Sequence, residues 1–296
     1  MSSHGAETAI HNLNGLLDTS ALFDAHAHLS FAPEPARFGA WATHQFAGAF
    51  STTVTPADFT RARKVFADLD TVKVGIGAHP WWISLGELSP LDLESAAIEF
   101  AQAPYIGEVG LDFGKKGMWT CAFNSDEAAE AAQVSALRTI FAACQGEPEH
   151  AANTQAHAGR VFSFHAVRSA DVIMDLLEEF GLLSGNTIIF HWFSDSGDRL
   201  QRARELGCYF SVNSLMLNSR RGREYAKAIP LDRLLIETDL PDETADNVGD
   251  PDRFENARAD YERALVSAYE LIADIRGPEA LPAIADNVAH VFGIGE

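Results

Sequence analysis

Cysteines, basic side chains and long apolar runs are all scarce in this chain. Three cysteines occur in 296 residues, and this odd number without close pairing argues against a disulfide framework and a cysteine-based zinc site. No apolar run approaches the roughly 20 residues of a membrane-spanning helix. The first twenty residues lack the basic start and apolar core of a secretion signal. We therefore expect a cytoplasmic protein that does not enter a membrane.

Basic residues are outnumbered, with 22 Lys and Arg against 42 Asp and Glu and a net charge of −20. Affinity for phosphate backbones comes mainly from Lys and Arg, so a chain this acidic repels bulk nucleic acid. The arginines are nevertheless clustered, and the cluster predicts either two solvated helix faces or a local phosphate-binding patch in which Arg220 and Arg221 contact substrate. The clustered residues are Arg199, Arg202, Arg204, Arg220, Arg221 and Arg223.

The remaining composition is typical of a globular enzyme. Hydrophobic residues make up 47% of the chain, which is enough for a large core. Short β-rich runs alternate with helical patterns, as in repeated βαβ units. We expect one α/β domain, a (β/α)8 TIM barrel over residues 20–296, after an N-terminal extension at residues 1–19. The predicted strands lie near residues 21–26, 46–54, 71–77, 104–109, 160–165, 187–191, 208–212 and 232–237.

Six side chains that suit metal binding lie at the C-terminal ends of five of these strands. They are His26, His28, Glu108, His165, His191 and Asp239. The C-terminal ends of parallel barrel strands meet at one mouth, where enzymes of this fold carry their active sites. A single histidine could meet a local structural need, but six side chains at the same place on five strands predict one shared site.

The spacing of these residues suggests how they would divide between metal ions. His26 and His28 lie two apart on a strand, so both rings point to the same side and, with Asp239, could hold one ion. His165 and His191 could hold a second, and Glu108 could offer one oxygen to each. Two ions roughly 3.5–4 Å apart activate water near neutral pH. We expect one or two divalent ions, with zinc or manganese favoured over magnesium by the nitrogen donors.

Five blocks of the sequence resemble the TatD-related metal-dependent deoxyribonucleases of the amidohydrolase superfamily. They are Asp24-Ala25-His26-Ala27-His28, Gly77-Ala78-His79-Pro80, Gly107-Glu108-Val109-Gly110-Leu111-Asp112, His191-Trp192-Phe193-Ser194 and Arg233-Leu234-Leu235-Ile236-Glu237-Thr238-Asp239-Leu240-Pro241. The first, third and fifth blocks together are highly specific. The resemblance implies hydrolysis of DNA phosphodiester bonds, often from an end, with the six residues as metal ligands, Asp239 also as general base, and Glu108 as the bridging carboxylate.

The resemblance also implies substrate contacts and partners. His79 resembles a contact to the substrate phosphate, although it could equally fix the Gly-x-His-Pro turn. The family usually places an arginine two residues after the fifth-strand histidine, whereas Arg168 here lies three residues after His165; it is predicted as a substrate contact all the same. The stretch from Tyr209 to Met216, with the arginine cluster after it, resembles a divergent branch of the family. Some members of that branch accompany bacterial anti-phage operons, which implies defence-operon partners.

Three functions remain open at this point. The first is a nuclease or phosphodiesterase that acts on single-stranded DNA or strand ends, on which Trp81, Trp82 and Trp192 either stack bases or pack locally. The second is a hydrolase of a small amide, lactone or phosphoester, favoured by the net charge and by the acidic segment that follows Asp239. The third is a non-catalytic subunit that retained the fold. The sequence leaves the oligomeric state open.

Overall fold

The computed structural model of the protein describes residues 17–114, 122–146, 148, 159–242 and 252–294. Strands and helices alternate along the chain, and every strand pair is parallel. The strands are β1 Phe23–Ala27, β2 Gly48–Ser51, β3 Val72–Val74, β4 Ile76–Ala78, β5 Tyr105–Asp112, β6 Val161–Val167, β7 Thr187–His191, β8 Tyr209–Val212 and β9 Leu234–Ile236. The helices are α1 Pro35–Gln45, α2 Pro56–Val65, α3 Pro80–Leu85, α4 Pro90–Ser95, α5 Ala97–Gln102, α6 Asp126–Ala143, α7 Ala170–Glu179, α8 Gly197–Glu205, α9 Ser214–Asn218, α10 Arg220–Ala228, α11 Arg253–Arg276 and α12 Ala280–Phe292.

The third predicted strand, at residues 71–77, is divided into two short strands that pair with different neighbours. β3 pairs with β2 and ends the order β1-β2-β3, whereas β4 pairs with β5 and begins the order β4-β5-β6-β7-β8-β9. The change of partner falls at Gly75, whose N–H donates to the Ser51 carbonyl over 3.0 Å. A side chain at this position would meet the Phe50 ring at 2.7 Å, so glycine allows the backbone to pass between the two sheets.

Two backbone crossings hold the two sheets in one ring. Thr53, just past β2, donates to the Gly107 carbonyl over 2.9 Å and accepts from the Glu108 N–H over 2.8 Å. On the other side, the segment after β9 reaches β1, because the Asp239 N–H donates to the His26 carbonyl over 3.0 Å. The hydrogen-bonded ladder itself is not closed between β9 and β1. The predicted single-domain TIM barrel is confirmed, with β3 and β4 sharing one of its eight strand positions.

The far end of the barrel is closed by the last described helix. Phe292 of α12 packs against Phe23, Phe50 and Tyr105, with ring centroids 4.7, 5.6 and 6.3 Å away. Val288 of the same helix joins this inner cluster. Phe23 and Tyr105 begin their strands, so α12 covers the N-terminal ends and the opposite mouth is left for the polar side chains.

Several helices begin at residues whose side chains bind the free backbone N–H groups of the first turn. Thr55 precedes α2, and its hydroxyl accepts from the Asp58 N–H over 3.1 Å. Ser89 and Asp92 form a reciprocal capping box at α4. These caps fix where each strand-to-helix connection ends, and therefore help to position the mouth of the barrel.

The structure also bears on membranes and cysteines. No helix among the described residues is long and apolar enough to cross a membrane. Cys144 and Cys208 are both free and buried, while Cys121 lies outside the described residues. The domain boundary at residues 19 and 20 stays a prediction, since residues 1–16 are also outside them.

The close approach of Gly77 to the neighbouring backbone generates a test of the fold. An added Cβ would lie 1.5 Å from the Thr53 carbonyl oxygen, so Gly77→Ala must push β2 and β4 apart. We expect it to lower the free energy of unfolding by about 3 kcal/mol or more in urea titration. Gly197→Ala is the matched control, because no atom lies within 4 Å of its added Cβ; equal stability of the two variants would contradict this account.

Candidate metal centre

The six predicted ligands all lie at the open mouth of the barrel, and one of them is a buried carboxylate with the other five grouped near it. His26 lies within β1 and His28 just after it, while the other four come from β5, β6, β7 and the segment after β9. Glu108 of β5 is at the centre, and it is 2% exposed. Five imidazoles contact its two oxygens, namely those of His26, His28, His79, His165 and His191.

The Glu108 Oε2 atom faces the two histidines of the first strand. It lies 3.5 Å from His26 Nε2 and 3.3 Å from His28 Nε2. Asp239 Oδ1 lies 3.6 and 3.3 Å from the same two nitrogens. These four side chains therefore offer two nitrogens and two carboxylate oxygens within 4.8 Å of one another, which is the donor set of a first-row divalent ion.

The Glu108 Oε1 atom faces the other histidines. It lies 2.8 Å from His191 Nε2, 2.9 Å from His165 Nδ1 and 3.2 Å from His79 Nε2. Of these, His79, Glu108 and His165 form a second group of donors that could hold an ion. The carboxylate thus presents one oxygen to each of two nitrogen-rich groups, an arrangement that suits a carboxylate shared between two ions.

The charges of the site fit cations held by this donor set. Burial raises the pKa of Glu108, but His79, His191 and the hydrogen-bonding imidazoles outweigh it, and the pKa falls well below its usual range. Burial lowers the pKa of His28, whereas hydrogen bonds to Asp239 and Glu108 raise it, to about 10. Burial lowers the pKa of His79 to about 4. The lowered pKa of Glu108 means that the ionised form of its carboxylate is stabilised by nearby positive charge. Divalent ions between these donors would supply such charge.

Two polar side chains that the sequence did not identify contact two of the candidate ligand histidines. Ser163 Oγ lies 2.7 Å from His26 Nδ1, on the ring edge away from Glu108. Asp112 Oδ2 lies 3.2 Å from His165 Nε2 and also accepts from Trp81 Nε1 over 2.7 Å. Partners of this kind fix the tautomer and direction of a metal-binding imidazole. Asp112 closes the third sequence block, which was the available signal for it.

Glu237 is a third residue that the sequence did not identify, although it stands beside Asp239 in the fifth block. It is fully buried and accepts from Asn213 Nδ2 and from the Trp192 N–H, each over 3.0 Å, and from Ser211 Oγ. Its Oε1 atom lies 3.8 Å from His191 Nδ1. Glu237 therefore ties β8 and the start of the segment after β7 to His191, the candidate ligand of β7.

The backbone at the mouth is strained at three places. Arg168, Trp192 and Asp239 have φ angles of 57°, 37° and 61°, which non-glycine residues rarely adopt. They follow β6, β7 and β9 respectively. Strain of this kind persists where surrounding contacts hold it, and it is often found at functional sites; for Trp192 and Asp239 the hydrogen bonds of their N–H groups supply such contacts.

A cavity of about 720 Å³ opens over the donor groups. Its walls include five of the six predicted ligands, and His26 lies beneath them. Aromatic side chains form much of the remaining wall, namely Phe31, Trp81, Trp82 and Trp192. Glu87 and Asp242 also line it, while no Lys or Arg does so among the described residues. The cavity is of the size that small ligands or one end of a polymer occupy.

The predicted substrate contacts do not lie together as the predicted ligands do. His79 lies in the site, and it also caps α3 by accepting from the Trp81 N–H over 3.2 Å. Arg168 is exposed beyond β6 and does not line the cavity. Arg221 lines a smaller neighbouring cavity, and Arg220 is exposed on α10. The acidic residues at 243–251 lie outside the described residues.

The rest of the arginine cluster mostly forms ion pairs on the outer helices. Arg199 contacts Asp171 at 2.6 Å and Asp195 at 2.5 Å. Arg202 contacts Asp175 and Glu178 at 2.7 and 2.6 Å. These contacts join α8 to α7. This part of the cluster therefore fits solvated helix faces better than a phosphate-binding patch.

Comparison with known proteins identifies the family. The family model described as TatD-related DNase matches residues 23–293. The chain belongs to this family. Its predicted resemblance to TatD-related enzymes is confirmed. Two curated relatives named 3'-5' ssDNA/RNA exonuclease TatD, from Escherichia coli K12 and Shigella flexneri serotype 5b, are 32% and 30% identical over 229 residues, which is 74% of this chain and 76% of each relative.

Solved structures of TatD-related proteins share the fold. A TatD homologue from Escherichia coli K12 superposes with a TM-score of 0.64 at 20% identity, covering 93% of this chain and 99% of its own. A TatD-family hydrolase from Entamoeba histolytica gives 0.64 at 18% identity, covering 92% of this chain and 98% of its own. At these identities the likeness concerns the barrel architecture.

The central position of Glu108 generates a test of the metal groups. Glu108→Ala removes the carboxylate that both groups share, so we expect the protein to bind at least one ion fewer than the wild type when titrated with Mn²⁺ or Zn²⁺. Elemental analysis after removal of free metal measures this. Glu87→Gln, at the rim of the same cavity, is the control and should keep the wild-type metal content. Unchanged metal content in Glu108→Ala would show that the Glu108 carboxylate is not a metal ligand.

Proposed function

We propose that this chain is a metal-dependent phosphodiesterase that hydrolyses single-stranded DNA, most favourably at strand ends. The observation that carries this proposal is the division of the Glu108 carboxylate, with Oε2 toward His26 and His28 and Oε1 toward His165 and His191. Two closely spaced donor groups around one carboxylate suit phosphodiester hydrolysis, in which charge develops on both the attacking and leaving oxygens.

The curated relatives support the choice of substrate. Their names describe 3'-5' exonucleases of single-stranded DNA and RNA, and we extend the single-stranded substrate to this chain. The cavity over the donor groups is walled by Phe31, Trp81, Trp82 and Trp192. Aromatic side chains of this kind stack on unpaired bases whatever their sequence. Inside a duplex, both faces of a base are covered by the neighbouring base pairs and are not free for such stacking.

Each residue of the centre has a proposed task. His26, His28 and Asp239 hold one divalent ion, His165 and His191 hold a second, and Glu108 contributes to both. When bound, such ions polarise the phosphate and lower the pKa of water. The Asp239 carboxylate, which is 21% exposed and lines the cavity, accepts the proton of the attacking water. His79 holds a non-bridging phosphate oxygen. The nitrogen-rich donors favour zinc or manganese over magnesium.

A second candidate function is hydrolysis of a small ester, lactone or phosphoester. It is favoured by Glu87 and Asp242 at the cavity wall, because acidic side chains there disfavour a long polyanion. A labelled single-stranded oligonucleotide and a panel of small esters and lactones, each with Mg²⁺, Mn²⁺ or Zn²⁺, separate the two. Cleavage of the oligonucleotide supports the nuclease, and cleavage of the small substrates alone supports the second candidate.

The third hypothesis from the sequence, a non-catalytic subunit, predicts decay of the ligand set. All six proposed ligands are instead present, with the other five grouped near the Glu108 carboxylate, which supports an enzyme. The cytoplasmic location and a partner encoded in a defence operon stay predictions.

The proton-accepting role of Asp239 is open to direct test. Asp239→Asn keeps the shape of the side chain but cannot accept a proton at neutral pH, so we expect kcat on an oligonucleotide to fall by about 10²- to 10⁴-fold. Asp242→Asn makes the same change at the same mouth, outside the donor groups, and should keep most of the rate. Metal content is measured on both variants, so that loss of an ion is distinguished from loss of the base. If Asp239→Asn retained more than about a tenth of the rate, another group would be the base.

A further inference from the structure

A second, smaller cavity lies beside the metal centre and shares a wall with it. Its volume is about 200 Å³, and Trp192 and Ser194 line both cavities. The other walls come from α9 and α10, the two helices that follow β8. This cavity therefore opens at the same mouth of the barrel, one strand position away from the ligand His191.

The shared wall is held in place by the metal centre itself. Trp192 directly follows His191 and has a φ angle of 37°. Its N–H donates to Glu237 Oε1 over 3.0 Å, and the same oxygen lies 3.8 Å from His191 Nδ1. The backbone at Trp192 is thus fixed relative to a proposed ligand by one buried carboxylate. A strained residue that is held this firmly indicates a positional requirement.

The wall formed by α10 carries an aromatic ring and a guanidinium that are already in place. The Tyr225 hydroxyl donates to the Asp195 carbonyl over 2.6 Å, and Arg221 Nε donates to the Tyr225 hydroxyl over 2.9 Å. The Arg221 guanidinium carbon lies 5.1 Å from the centre of the Tyr225 ring. These groups need no rearrangement before binding, which lowers the entropic cost of association.

Close packing of α10 on α9 brings this wall into position. A Cβ added at Gly222 would lie 1.9 Å from the Met216 carbonyl oxygen, so only glycine allows the two helices to approach so closely. At the rim, Leu215 of α9 is 64% exposed. An exposed leucine beside an indole, a phenol ring and a guanidinium offers apolar surface at the entrance to the cavity.

We propose that this cavity is a subsite that receives one unpaired nucleobase of the substrate, next to the phosphate held at the metal centre. The proposal rests on the proposed function, since it takes the substrate to be a nucleic acid. Trp192 and Tyr225 provide faces for stacking, and Arg221 provides a cation for the base face or the adjoining phosphate. Ser194 provides a hydroxyl for the edge of the base. A base in a duplex is stacked and paired, so it cannot enter.

Binding of a mononucleotide tests the subsite without requiring hydrolysis of a phosphodiester. We expect the metal-loaded wild-type protein to bind deoxyadenosine monophosphate about 10- to 100-fold more tightly than deoxyribose 5-phosphate, which lacks the base. Calorimetric titration measures both. Trp192→Ala should remove the difference, and Trp192→Phe should retain most of it, because phenylalanine keeps a stacking face.

A pair of surface variants tests the subsite even if Trp192→Ala does not fold. Leu215→Gln changes an exposed rim residue and should weaken binding of the mononucleotide. Leu91→Gln is its matched control, since Leu91 is 69% exposed on α4 and lines none of the cavities described above. Equal effects of the two leucine variants, or mononucleotide binding by Trp192→Ala as tight as the wild type's, would overturn the proposal.

A kinetic arm separates failure of the subsite from failure of the proposed function. A single-stranded oligonucleotide carries one abasic unit at successive positions from the end that is cleaved. We expect kcat/KM to fall about 10- to 100-fold at one position for the wild type and at none for Trp192→Ala. If kcat/KM is the same with an abasic unit at every position, the subsite proposal is wrong, whereas the proposed nuclease activity is supported. Base-dependent mononucleotide binding without cleavage of any oligonucleotide overturns the nuclease and leaves a nucleotide-binding subsite.

Discussion

The buried carboxylate of Glu108 is the group on which the rest of the site depends. It is 2% exposed and contacts five imidazoles at 2.8–3.5 Å. A carboxylate taken out of water is costly unless nearby positive charge and hydrogen bonds offset the lost hydration. The contacting histidines come from four places around the barrel, so the ring of strands must close well enough to bring them all within reach. The two backbone crossings at Thr53 and Asp239 provide that closure.

The supporting residues follow from the same constraint. An imidazole that faces Glu108 with one nitrogen leaves the other to be satisfied, and Ser163 does this for His26 while Asp112 does so for His165. Asp24, beneath the mouth, also supports the site through hydrogen bonds. Its carboxylate accepts from the Thr238 N–H over 3.0 Å and from the Thr238 hydroxyl over 2.5 Å. This joins the first strand to the segment that carries Asp239, and so places the proposed base opposite His26 and His28.

The positions of the proposed ligands could be predicted because the strand period and the barrel topology together fix where strand ends meet. His165 and His191 each end an apolar run, and parallel strands bring such ends to one mouth. Ser163 and Glu237 gave no such signal, since a serine within a strand or a second acid beside Asp239 has many structural uses. The division of the third strand at Gly75 could not be predicted either. It depends on how closely the Phe50 ring and the Gly107 carbonyl approach in three dimensions. The sequence also did not show that Arg168, three residues after His165, is exposed with a φ angle of 57° and does not line the cavity.

The central claim is that two divalent ions share Glu108. A crystal structure of the manganese-loaded protein, with the anomalous signal of the metal, tests it most directly. The account predicts two anomalous peaks roughly 3.5–4 Å apart, one beside Oε2 among His26, His28 and Asp239 and the other beside Oε1 among His165 and His191. Loaded protein with no peak at Glu108, or with its metal bound elsewhere at the surface, would contradict the account.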